Sequence, residues 1–299
     1  MGHELKGVAM SSLVRPLVSS LRRSLKGRGL DALNALIAQI FSADEQGAFY
    51  VPQPIVLGAQ ALFQDSAGTV PVTADGDPVG RMLDRSGNGN HATQTVSGRR
   101  PVYKTDGTLH WLQGDGVDDN LIIPGSASTF KFMHDGTGGG VAAAVMSLTD
   151  VSYTQFISSQ SGDTRNTGVS LVRKNRSTYT ENKDASFIVF RGVHHTIAVD
   201  INISNKLFVN TPYVMRANYK NNGLSDDGTL FVDSSLIGES ATISPPSAAD
   251  SFNDVALFGT VFIDSSARIY GAVLREGTLL GTAGENVDQY LADLSGVAL

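Results

Sequence analysis

From residue 140 to residue 277 the chain is a succession of short β-prone runs divided by turn signals, and this limits what it can fold into. The runs are GVAAAVMSL (140–148), TQFISSQ (154–160), GVSLVRK (168–174), SFIVFRG (186–192), HHTIAVDI (194–201), KLFVN (206–210), TLFVDSSLIG (229–238), DVALFGTVF (254–262) and ARIYGAVLREG (267–277). SGDTRNTG, NNG and SDDG punctuate them. Strands this short at this spacing predict an antiparallel two-sheet sandwich rather than βαβ units. Composition agrees, because 32 glycines and only 17% charged residues disfavour helix, while 41% apolar residues in 299 supply a substantial core. The chain has no cysteine, which excludes disulfides and thiolate metal sites.

The start of the chain has a different texture. Leu13, Leu17, Leu21 and Leu25 recur at every fourth position, with Ser12 as a cap and Pro16 near the first turn, and predict an amphipathic helix. Gly27 and Gly29 break it, and Leu30, Leu33, Leu36, Ile37, Ile40 and Phe41 predict a second helix closing before Gly47. Residues 1–40 carry net charge +4 and the remainder −10, so arm and body differ in sign. We therefore divide the chain into a basic helical arm, 1–46, and a sandwich, 47–299. The arm packs on its own sandwich or on sister subunits, or attaches to a partner protein through Leu13, Leu17, Leu21, Arg22, Arg23 and Leu25. A basic amphipathic helix is a weak signal for nucleic acid or membrane, and neither is expected as a partner. No run reaches the roughly 18 apolar residues that span a bilayer, and no secretory apolar core opens the chain. At the other end TAGE (282–285) has the form of a capping box, opening a stripe of Val287, Tyr290, Leu291 and Leu294 that stops at Gly296.

Residues 63–104, FQDSAGTVPVTADGDPVGRMLDRSGNGNHATQTVSGRRPVYK, lead to LHWLQGDGVDDNLIIPG (109–125). The acid followed by SGNGNHAT, then RPVY, then a strand ending in DGVDDNL resembles the opening of concanavalin A-like, LamG-type jelly-roll domains of bacteriophage virion proteins. ARIYGAVLREGTL and the terminal helix fit the same ending. The resemblance implies a jelly-roll β-sandwich in a non-enzymatic virion structural protein, a tail fibre, tail-tip or receptor-facing component located in the virion after synthesis in the host cytoplasm. A capsid decoration protein is the alternative within that class, and a glycan-processing enzyme of the same fold is the alternative outside it. It further implies attachment to other virion proteins through the arm, a homo-oligomer (a trimer by analogy with fibres), and contact with a host surface glycan. Such folds host lectins, hydrolases and inert modules alike, so the site residues carry the argument.

Asp115, Asp118 and Asp119 in QGDGVDDN could supply oxygen ligands of the kind Ca²⁺ takes, the one cofactor weighed, but their spacing fits no EF-hand and the favoured reading is a turn into LIIPG with the carboxylates in water. A glycosidase needs two carboxyl groups flanking a groove. The glutamates, at 4, 45, 181, 239, 276 and 285, never fall at strand spacing, and the E-x-D-x-x-E run of jelly-roll glucanases is missing. No G-x-S-x-G elbow is present. His194 and His195 alternate to opposite faces of a strand and cannot share a metal, and GTGGG (136–140) lacks the lysine of a P-loop. No catalytic residue is therefore expected. For sugar binding, Tyr179, Tyr213 and Tyr219, with Asp163 and Asn166 in the loop SGDTRNTG and the loop RANYKNNGLSDDG (216–228), are the rim candidates, while Trp111 reads as core. LDRSGNGNHATQ (83–94) reads as a corner, in which Gly87 and Gly89 take positive φ and Asp84 with Ser86 caps freed amides.

Overall fold

A computed structural model describes residues 29–149, 153–159, 167–174, 185–190, 207–220, 228–240, 248–259 and 266–299. The arm positions Leu13, Leu17, Leu21, Arg22, Arg23 and Leu25 lie outside these residues.

Strands too apolar to face water on either side form the centre of the molecule. Along Gly139–Ser147 every residue is buried. Val141, Ala143 and Val145 point into a core with Met215, Ala217, Phe156, Ile157, Leu171 and Leu257. Ala142, Ala144 and Met146 point the other way, into a second core with Val214, Val273, Leu36, Ile40, Val287 and Leu291. A strand sandwiched on both faces reads as a continuous apolar run rather than an alternation, which is why GVAAAVMS lacks a period of two.

Two eight-stranded antiparallel sheets result. The first is ordered Ser235–Ser240, Gly228–Val232, Tyr213–Tyr219, Gly139–Ser147, Ala267–Glu276, His110–Gln113, Val102–Thr105, with Gly47–Tyr50 also paired to Ala267–Glu276. The second is ordered Ala185–Phe190, Gly168–Lys174, Tyr153–Ser158, Ala256–Leu257, Leu121–Ile122, Ala92–Thr93, Arg81–Met82, Leu62–Phe63. The first core lies between the sheets, and two helices, Gly29–Ile40 and Gly281–Ser295, cover the outer face of the first sheet. The molecule is mainly β, a sandwich with one helical layer. No helix among the described residues is long and apolar enough to cross a membrane.

A buried ion pair ties the second helix down. Arg216 on the central strand Tyr213–Tyr219 grips Asp288 with Nε and Nη2, both at 2.8 Å, and donates Nη1 to the Leu279 carbonyl at 2.5 Å. Ser234 adds a hydroxyl to the same carboxylate at 3.0 Å. Both charged groups are almost wholly buried, and the guanidinium lies 3.9 Å from the Phe231 ring centroid.

Several element boundaries differ from the sequence reading. TLFVDSSLIG is a hairpin, because Asp233 and Ser234 both take positive φ and make the two-residue turn that matches strand twist. YVMRANY, read in part as the loop 216–228, is the strand Tyr213–Tyr219 in the middle of the first sheet. KLFVN is no strand over its described residues, since Val209 and Asn210 turn ahead of Pro212. The terminal helix begins at Gly281 with Leu280 as its cap and no side-chain capping bond, so TAGE lies inside the helix. Gly296 closes it in the left-handed region, as the sequence indicates.

Candidate functional site

The corner 83–94 is built as a clamp on one carbonyl and one carboxylate. Buried Asp84 accepts the amides of Phe49 (2.9 Å), Ser86 (2.8 Å) and Asn90 (3.0 Å) and the Ser86 hydroxyl (2.7 Å). The Gly47 carbonyl accepts from Asn90 Nδ2 (2.7 Å), Asn88 Nδ2 (3.2 Å) and the Ser86 hydroxyl (3.3 Å). The Tyr50 hydroxyl donates to the Asn90 carbonyl, and His91 Nδ1 accepts the Asp84 amide at 3.1 Å. Gly87 and Gly89 take positive φ with open space around them. Every polar group that caught attention in the sequence has an internal partner here, so the corner serves the fold. Gly47 is required by contact, since an added Cβ would lie 2.0 Å from the Leu274 carbonyl oxygen.

The loop 114–120 differs. It carries the chain from His110–Gln113 in the first sheet to Leu121–Ile122 in the second, across one end of the sandwich. Gly114 donates its amide to Ala267 at 3.1 Å and Asn120 donates to Arg99 at 3.1 Å, which pins both ends. Between them the chain doubles back. Asp119 Oδ2 accepts the Asp115 amide at 3.0 Å, and Asp115 Oδ1 accepts the Val117 amide at 2.8 Å. Arg99 Nε meets Asp118 Oδ2 at 3.0 Å. One carboxylate oxygen from each of Asp115, Asp118 and Asp119 then lies within 4.8 Å of the others, with Asp115 exposed and the other two partly buried.

Crowding and burial have an electrostatic result. Burial pushes the Asp119 carboxyl up to about 6; the Asp115 amide opposes this, and the negative charges of Asp115 and Asp118 add to it. Asp119 thus keeps its proton to a higher pH than a free aspartate, beside two other carboxyl groups. The same all-oxygen donor set suits a hard divalent cation.

The sugar-binding candidates fare differently. Tyr213 is 7% exposed and Tyr219 fully buried, both in the inter-sheet core, so they form no rim platform. They sit on an interior strand that the sequence reading left partly in a loop. Tyr179, Asp163 and Asn166 lie outside the described residues, as do His194 and His195. Trp111 is buried against Tyr270 and under the Arg268 guanidinium, as core. Phe208, which the sequence reading placed in the β-prone run KLFVN, is instead 64% exposed ahead of a turn. The Asn-Thr-Pro that follows it was the available turn signal.

No family model matches the sequence and no curated protein matches it. Solved structures do. A family GH54 α-L-arabinofuranosidase aligns at TM-score 0.51 and 14% identity, over 87% of this chain and 65% of its own. An arabinofuranosidase complexed with arabinofuranosyl-α-1,2-xylobiose aligns at 0.50 and 14%, over the same shares. The sialidase of Trypanosoma rangeli aligns at 0.48 and 11%, over 84% of this chain and 33% of its own. This chain therefore spans a third to just under two thirds of those proteins. At such identity the likeness to the arabinofuranosidases shows a shared β-sandwich fold. It also corrects the expectation of a non-enzymatic virion protein with no catalytic residue, for the two structures aligned at 0.51 and 0.50 are arabinofuranosidases. The tail-fibre and capsid-decoration readings are dropped with it.

Proposed function

We propose that the protein processes glycans and that Asp115, Asp118 and Asp119 form its reaction centre. The observation that carries this reading is the convergence of three carboxyl groups within 4.8 Å on the loop that joins the two sheets, with burial raising that of Asp119 to about 6. Asp119 holds the proton that a departing glycosidic oxygen requires. Asp115, the exposed member, offers a carboxylate to the anomeric carbon, while Arg99 holds Asp118 in place. A separation below 4.8 Å leaves no room for a water between the carboxyls, which favours retention: Asp115 forms a glycosyl ester as the glycosidic bond breaks and Asp119 protonates the departing oxygen, and water then hydrolyses that ester, giving its proton back to Asp119. The LamG-type lineage rests on the SGNGNHAT, RPVY and DGVDD motifs, and the arabinofuranosidase likeness supports arabinofuranosyl-substituted oligosaccharides as first substrates to try. The test is release of new reducing ends from arabinoxylan and other plant and bacterial polysaccharides. Wild-type protein should release them and Asp119→Asn should lose at least about a hundredfold of the rate, the scale of one general acid. Equal release by the variant, or none by the wild type across the panel, overturns the proposal.

A second reading has its own support in the three converging oxygens. A Ca²⁺ ion held by them would neutralise the crowded charge and raise the melting temperature in millimolar calcium, reversed by chelator and lost in Asp118→Asn. An unchanged melting temperature excludes it.

A further inference from the structure

We propose that Phe208 is a sugar-stacking subsite on the same rim as the carboxyl trio, which makes the protein selective for oligosaccharides over single sugars; this inference rests on the glycan reading above. Phe208 is an apolar ring held out in water by design of its surroundings. Its amide donates to the Tyr213 hydroxyl, the same hydroxyl reaches the Phe208 carbonyl at 3.4 Å, and Arg173 Nε holds the neighbouring Leu207 carbonyl at 3.3 Å. Tyr213 and Arg173 are themselves buried, so the backbone under the exposed ring is anchored from within. Asn210, with φ of 58° and its amide fixed to the Ser147 carbonyl at 2.8 Å, turns the chain immediately after the ring. Its exposed amide and the exposed Thr211 stand beside an apolar face, the pairing of ring and hydrogen-bonding groups that recognises a pyranose or furanose.

Continuity of the backbone places this ring and the trio at one end of the sandwich. Gly114, which opens the acidic loop, is bonded to Ala267; Ala267 pairs with Ser147; Ser147 accepts the Asn210 amide. Three ladder steps separate Gly114 from Asn210, about 14 Å at about 4.8 Å per step. A span of that order between the two loops exceeds one sugar ring and suits a chain of several.

The test is calorimetric binding of arabinoxylan-derived oligosaccharides, one to six residues long, to the full chain carrying Asp119→Asn, so that bound glycan is not cleaved. Affinity should rise with length. Adding Phe208→Ala should weaken the longer oligosaccharides about tenfold, the value of roughly half-covering a phenyl ring, and leave the monosaccharide unchanged, while Phe208→Trp should restore the length dependence. Equal affinity in the alanine variant with an unchanged melting temperature, or no length dependence in the parent, overturns the subsite. Failure of the reaction centre registers separately, as absence of reducing ends from the wild-type protein.

Discussion

Asp119 shows how a residue type acquires chemistry from position. An aspartate in a DGVDD turn is usually solvated, and nothing in that spelling distinguishes it from the acids at 115 and 118. In the folded loop, burial raises Asp119 to about 6, with the charges of Asp115 and Asp118 adding to it. The sign of the linkage follows. Because the folded protein binds this proton more tightly than the unfolded chain, stability falls as pH rises from the ordinary carboxylate value of 3.8 to about 6, and is flat beyond. Asp119→Asn should therefore stabilise the fold relative to wild type at pH 7 and show little difference at pH 3.5, read by thermal melts. A constant difference at both values would show that Asp119 titrates ordinarily. Asp84 is the opposite case: its role as a cap was legible from DRSGNGN, since asparagine and glycine corners leave amides to be satisfied. Asp84→Ala strands buried amides and should cost about 3 kcal/mol in chemical denaturation; a cost under about 0.5 kcal/mol would remove the corner from the account of the fold.

Among the elements, period decided what could be read. Leu33, Leu36 and Ile40 declared a helical face in sequence, and the structure buries that face on the first sheet, so Ile40→Ala should cost about 2–4 kcal/mol. What the sequence could not display was the partner of each face. Gly139–Ser147 was visible as apolar but not as a strand buried twice. YVMRANY was partly misread because a buried arginine in its middle looks like a surface residue until Asp288, 72 residues on, is placed against it. Breaking that pair with Asp288→Ala leaves a buried unpaired guanidinium and should cost about 3–5 kcal/mol, whereas Arg216→Met with Asp288→Leu should recover most of the loss. A double variant as unstable as the single one would show that shape, rather than charge, holds the helix.

For the molecule as a whole, the sandwich was legible from strand spacing and from the SGNGNHAT and DGVDD motifs, and its division of labour was not. The corner 83–94 turns Asp84, Ser86, Asn88 and Asn90 inward on the chain's own backbone; the sheet crossing 114–120 leaves three carboxyls close to one another, and an exposed phenyl ring follows on a neighbouring strand connection. Those features come from residues 89 positions apart, Asp119 and Phe208, and no local pattern joins them. The reading of a glycan-processing rim thus stands on the state of one proton. It is tested most directly by a carbon-13 NMR titration of the Asp119 carboxyl in the intact protein: a midpoint at about 6 is the result this account predicts, and a midpoint below 4 would contradict it.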